Sequence, residues 1–247
     1  MEENKKDSKN NVKIMAQTAL IIAVIIAGAI LLRGSKMPET APVAENTAGT
    51  AVSANPSFPG VQVDPVSASD ETQGSPDAKV TVIVYADYQC PFCERFFNDA
   101  EKTIADKYIP TGKVRFVYRD YSILGIESTR AAEAAHCAGD QGKFWQYHDY
   151  LFGHQGKENS GAFSDANLKS FAINLGLDSS AFNKCLDSNK YEQAVADSYA
   201  GGNRAMPTPA DRYTPKGFIL KDGKLFDVIL GAQPSSTVSA QIDAALK

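Results

Sequence analysis

The chain has 247 residues, of which 43% are hydrophobic and 22% charged, with four cysteines and a formal net charge of −4. That is room for one or two ordinary globular domains, and the cysteines are too few for a disulfide-built scaffold. Residues 1–36 hold six of the Lys/Arg against three Asp/Glu, which leaves the remainder acidic. Without clustered basic residues to meet phosphates, a nucleic-acid partner is excluded.

In chain order, residues 1–13 read as a short polar N-terminus. "IMAQTALIIAVIIAGAILL" (14–32) follows, 19 residues without a charge. At about 1.5 Å per residue a helix of that length matches the roughly 30 Å hydrocarbon layer. Four lysines precede it, so the positive-inside bias predicts a single-pass signal-anchor in the cell membrane with everything beyond it extracytoplasmic. A cleaved signal peptide is the alternative, since Ala27-Gly28-Ala29 resembles a cleavage site. Residues 33–75 carry five prolines among Ala, Thr, Ser and Asn without apolar periodicity, the composition of a flexible linker. Its last part, 58–66, is a candidate extra strand or turn packed on the domain.

A domain is expected over 76–247. "AKVTVIVYAD" (78–87) is β-branched and apolar, a buried strand. "CERFFNDAEKTIADKYI" (93–109) has helical apolar spacing, and "KVRFVYRDY" (113–121) reads as a second strand. A helical tract spans about 122–205, with a helix stop expected at Gly201-Gly202. "KGFILKDGKLFDVILG" (216–231) reads as two strands turning at Asp222-Gly223, and "SSTVSAQIDAALK" (235–247) as a closing helix. The order predicts an α/β sheet with a helical insertion.

The chemistry sits in "ADYQCPFCERFF" (86–97). A strand that feeds a helix at Cys90 places its sulfur at the helix N-terminus, where unpaired N–H groups and the macrodipole favour a thiolate. Cys93 lies one turn further on, placed to attack a mixed disulfide at Cys90. Pro91 suits the first turn because its missing N–H is not needed there. A zinc site requires a second close-spaced ligand pair, and Cys137, Cys185, His136 and His148 do not make one in sequence; no metal or cofactor is expected. A permanently closed disulfide is the remaining alternative. Asp87 is either a group that tunes the thiols or an exposed strand-end acid. Phe144, Trp145, Tyr147, His148, Tyr150 and Phe152 are expected to pack the helical cap onto the sheet.

"VIVYADYQCPFCERF", "AAHCAGDQGKFWQYHDYLF", "LGLDSSAFNKCLDSNKY" and "FILKDGKLF" together resemble the DsbA-like thiol–disulfide oxidoreductases. The resemblance covers 76–247 and implies a thioredoxin-like fold interrupted by a helical domain, in an extracytoplasmic enzyme. It implies that Cys90 is an exposed attacking cysteine and Cys93 the buried resolving one. A cis-proline facing the pair is implied too: Pro215, next to Thr214, is favoured over Pro207 and Pro209. Substrate polypeptide would then lie against Pro91, Phe92, Thr214 and Pro215. The related motifs also imply a structural disulfide between Cys137 and Cys185. The implied partners are exported unfolded polypeptides and a quinone-linked membrane protein of the DsbB or vitamin-K-epoxide-reductase type. Where strongly oxidising members carry a His, this chain has the uncharged Pro91-Phe92. A less stabilised thiolate makes a weaker oxidant, so the direction stays open between disulfide donation and reduction or isomerisation. A non-catalytic peptide-binding module is the reading from another class.

Overall fold

The computed structural model describes residues 58–247. The expected membrane span at 14–32 lies outside them, and among the described residues no helix is long and apolar enough to cross a membrane. Five strands form one sheet in the order β1-β3-β2-β4-β5. They are β1 (Glu71–Gly74), β2 (Val80–Ala86), β3 (Val114–Asp120), β4 (Lys216–Lys221) and β5 (Lys224–Leu230). β2 and β3 run parallel, and the other three pairings are antiparallel. The β4–β5 hairpin turns at Asp222-Gly223, both at positive φ, as the Asp-Gly signal requires.

A parallel pair needs a crossover, and α1 (Pro91–Phe96) begins it. Helical backbone continues from α1 through two π-type stretches, Phe97–Glu101 and Ile104–Tyr108, so the 93–109 segment is helical but wider-wound than its spacing predicts. Between β3 and β4 lie five helices: α2 (Ile126–Gly139), α3 (Phe144–Gly153), α4 (Asp165–Asn174), α5 (Ser179–Asp187) and α6 (Glu192–Ala205). They constitute the expected insertion, and α7 (Ser235–Ala245) closes the chain.

The sheet separates two cores. Alternation along β2 sends Val80, Val82 and Val84 to one face, with α1, α2 and α3, and Ile83 and Tyr85 to the other, with Val117, Phe218 and Met206. On the first face neighbouring rings among Tyr88, Phe97, Tyr118, Phe144, His148 and Phe152 lie 4.6–6.2 Å apart, and Trp145 meets Phe116, so these join cap to sheet. Tyr147 and Tyr150 instead pack within the insertion, against Phe182 and Phe171. Burying each such ring contributes about 1.5–3 kcal/mol.

Two sequence expectations are corrected. The domain does not begin at 76: Glu71–Gly74 pairs with β3, and Val63 is buried in the second core. Arg119 on β3 is the cause. Its guanidinium grips Asp70 at 2.7 and 2.9 Å and donates to the Asp64 and Pro65 carbonyls and the Tyr85 hydroxyl, each at 3.0 Å. All five of its N–H donors are thereby used, and the segment before β1 is held like a bound peptide. Gly201 and Gly202 do not end a helix but lie buried inside α6. A Cβ on Gly202 would come 2.5 Å from the Tyr121 ring, so glycine is what lets α6 approach the sheet.

Candidate active site

The β2–α1 junction has the geometry that "CPFC" demands. Cys90 is the N-cap of α1 with extended backbone (φ −78°, ψ 120°), and Pro91 occupies the first turn. The Cys93 and Glu94 N–H groups donate to the Cys90 carbonyl at 3.0 and 3.1 Å. Both thiols are free in this state. Cys93 is 1% exposed, and its sulfur accepts from the Asp87 N–H at 3.5 Å. Thr214–Pro215 is the cis peptide, and the Cys90 thiol donates to the Thr214 carbonyl at 3.4 Å. The structure thus brings Cys90, Cys93, Thr214 and Pro215 together from segments more than 120 residues apart.

One expectation is corrected here. Cys90 is only 6% exposed, whereas its neighbour Phe92 is 52% exposed, with Arg95 over its ring. The Thr214 carbonyl lies against the sulfur, and the exposed apolar surface beside it belongs to the Pro91-Phe92 dipeptide.

The two thiols differ sharply in acidity. A hydrogen bond from the Cys93 thiol, against the opposing effect of burial and with help from Thr214 and the Cys93 and Phe92 N–H groups, lowers Cys90 to about 6. Burial first, then the Cys90 sulfur, pushes Cys93 well above the ordinary thiol value. At neutral pH the pair therefore presents one thiolate, on Cys90, and keeps one proton, on Cys93. That is the asymmetry exchange chemistry needs in a nucleophile and its resolving partner.

Asp87 is not an exposed strand-end acid; it is 1% exposed. Its carboxylate accepts from the Gln89, Ile123 and Leu124 N–H groups at 2.8, 2.8 and 3.0 Å and from the Ser128 hydroxyl at 2.7 Å. Burial raises its pKa against these four donors. It fastens the start of the helical insertion to the end of β2. Gln89, Ser128, Gln155 and Asn159 complete this network, and sequence reading missed all four. Apart from the Gln89 N–H on Asp87, the bonds among them span 35 or more residues, and no spacing signals such a contact.

Cys137 on α2 and Cys185 on α5 are joined, with Cα atoms 5.8 Å apart, so the second ligand pair that a zinc site would draw on is spent. His148 is fully buried, and its ring nitrogens meet Glu101 at 2.8 Å and Tyr88 at 3.0 Å. His136, beside the disulfide, lies 2.8 Å from Asp120 and 3.5 Å from Glu71. Burial opposes its protonation, yet the two carboxylates push it up to about 10.

Comparison with known proteins agrees with this geometry. The sequence model of a family described as Thioredoxin matches residues 67–222. A Na(+)/H(+) antiporter NhaA of Salinispora arenicola is 33% identical over 145 residues, 58% of this chain and 21% of that protein. Disulfide bond formation protein D of Bacillus subtilis is 34% identical over 96 residues, 36% of this chain and 43% of its own. The chain thus spans about a fifth of the one relative and less than half of the other, and neither whole protein's activity passes to it by the match. Among solved structures, α-DsbA1 of Wolbachia pipientis superposes with a TM-score of 0.64 at 24% identity, covering 74% of this chain and 92% of that one. The chain belongs to the thioredoxin family, in the DsbA-like form whose sheet is interrupted by a helical insertion.

Proposed function

We propose that the protein is an extracytoplasmic thiol–disulfide oxidoreductase that donates a disulfide to exported, still unfolded polypeptides through Cys90 and Cys93. The observation that carries this reading is the acidic Cys90 thiol at the N-cap of α1, hydrogen-bonded to Cys93 and facing Thr214–cis-Pro215. In the oxidised enzyme a substrate thiolate attacks Cys90 Sγ. The Cys90–substrate bond forms, the Cys90–Cys93 bond breaks, and the electron pair leaves on Cys93 Sγ, which takes up a proton because burial favours its thiol. A second substrate thiolate then attacks the substrate sulfur of the mixed disulfide. Cys90 leaves as a thiolate, the substrate is oxidised and the enzyme reduced. The low pKa of Cys90 makes it a good leaving group in that step.

The Thr214 and Pro215 backbone and the exposed Pro91-Phe92 pair form the surface that holds the extended substrate. Residues 14–32 anchor the chain in the cell membrane, and a quinone-linked membrane protein of the DsbB or vitamin-K-epoxide-reductase type reoxidises the pair. The test is turnover: the full chain in detergent, with an oxidant in excess, oxidises a reduced two-cysteine peptide catalytically. Binding of the peptide without oxidation indicates a peptide-binding module instead. Net reduction of disulfide substrates supplied with a thiol donor indicates a reductase or isomerase.

A further inference from the structure

The helical insertion reaches the redox junction directly. Residues 154–164, between α3 and α4, return to the redox junction and hydrogen-bond its backbone. The Gln155 side-chain amide donates to the Tyr88 carbonyl at 2.7 Å and to the Cys90 carbonyl at 3.1 Å. It thus clasps the chain on both sides of Gln89. Gln89 answers from the other direction: its Oε1 accepts from the Asn159 N–H at 2.6 Å, and its Nε2 donates to the Ser128 hydroxyl at 2.8 Å. The loop is seated by close approach to Gly125, where a Cβ would come 2.6 Å from Asn159 Oδ1 and the φ of +110° already demands glycine.

We propose that Gln155 is a positioning residue, whose amide fixes the Tyr88–Cys90 backbone from the helical insertion and so sets where Cys90 Sγ lies between the start of α1 and the Thr214 carbonyl. The physical argument is that hydrogen bonds at a helix N-terminus stabilise an anion only while the donors point at it. Cys90 is the N-cap and its thiol makes no side-chain capping bond, so its φ and ψ help set whether the thiolate can turn to the Phe92 and Cys93 N–H groups, which favour it. Two bonds from one planar amide to carbonyls two residues apart restrain those torsions. Without them the Tyr88 carbonyl loses the side-chain donor that reaches it, and the Cys90 carbonyl keeps only the Cys93 and Glu94 N–H groups of its own helix. The charged and titratable groups on the surrounding elements are Asp87 and Tyr88 after β2, Tyr118 on β3, Cys93, Glu94 and Arg95 on α1, Glu127 on α2, His148 on α3, and His154, Lys157 and Glu158 beside Gln155. On the Thr214 side they are Tyr213 and Lys216. All are retained in the variants below, so a change in Cys90 acidity reports the lost donor.

The inference rests on the exchange function proposed above, but its readout is separate. The Cys90 thiolate is titrated in the full chain by its alkylation rate against pH. In Gln155→Met, which keeps the length and removes the donor, the thiolate fraction at pH 6 falls about fivefold, the consequence of a one-unit rise in pKa. Ser160→Ala in the same loop leaves the curve unchanged. Gln155→Asn, one methylene short, serves if the Met variant does not fold, with the same direction of change. A Met or Asn variant that melts earlier yet titrates like the parent overturns the proposal, because Gln155 is then structural only. Failure of the parent chain to oxidise thiols while the Gln155 variants still shift overturns the exchange function and leaves the positioning role standing.

Discussion

Two cysteine pairs in one chain meet opposite fates. Cys137 and Cys185 are bonded between two helices and far apart in sequence, whereas Cys90 and Cys93 sit one turn apart as free thiols. Burial does not distinguish them, since all four are at most 7% exposed. What differs is the hydrogen-bonding environment. Cys90 caps a helix and has the Cys93 thiol, the Thr214 loop and backbone N–H groups around it, so its reduced, charged form is stabilised. Cys137 is buried within an apolar stretch of α2, with Ala134, Ala135 and Ala138 in the same core. A thiolate there gains no comparable donors, and the bond is the stable state. The reactive pair is thus distinguished by stabilisation of its broken form.

Replacing Cys90 by Ser breaks the comparison most completely. Exchange falls by at least about 10³-fold, because the alcohol is not ionised at neutral pH and is no leaving group for a disulfide. Circular dichroism and the melting temperature stay near those of the parent. Loss of the fold together with activity would mean that Cys90 is structural.

Alkylation sharpens the contrast within the reactive pair. The Cys90 rate rises about tenfold per pH unit below pH 6 and levels off above it, following the thiolate. Cys93 stays unreactive throughout, since burial holds it as a thiol. Equal labelling of the two, read by peptide mapping, would contradict the asymmetry.

For the static pair, Cys137→Ala with Cys185→Ala removes a link closing 48 residues, at a cost of about 4 kcal/mol on the chain-entropy account. Urea unfolding reads that loss. Exchange by the variant that remains folded is unchanged. An exchange rate that falls in the folded double variant would tie the two pairs together.

His136, next to Cys137, gives the smallest effect and a pH signature. Its folded pKa is raised from the ordinary 6.5 to about 10, so the stability it supplies is fully present below pH 6.5 and is lost as pH rises through 10. His136→Gln leaves Asp120 buried without its cation and costs about 3 kcal/mol near pH 6. The difference between variant and parent melting temperatures then shrinks as pH rises towards 10. A constant difference would show that His136 is neutral in the folded protein.

Much of this was legible from local pattern. β2, β3 and the β4–β5 hairpin follow from β-branched runs and an Asp-Gly turn, and the redox junction follows from a strand, two cysteines and a Pro at the first helical turn. What stayed hidden depends on contacts with no periodicity. β1 is a polar edge strand of four residues, joined to the domain by its ladder with β3 and by the buried Arg119 that grips the segment just before it. Gly202 looks like a helix stop until Tyr121 is seen against it. The resemblance implies an exposed Cys90, and nothing in its place before α1 tells of the Thr214 carbonyl, 124 residues away, that lies against its sulfur. Asp87 reads as a surface acid because its four donors come from Gln89 and from residues 123–128 on a different element.

The measurement that tests the central claim is the Cys90–Cys93 reduction potential of the full chain, equilibrated in graded glutathione buffers and read by thiol trapping. A Cys90 pKa of about 6 lies between that of thioredoxin, about 7, and that of DsbA, about 3.5. The potential is therefore predicted between about −270 and −120 mV, with a single two-electron transition well above that of Cys137–Cys185. A value at or below about −270 mV would contradict disulfide donation and make the protein a reductase.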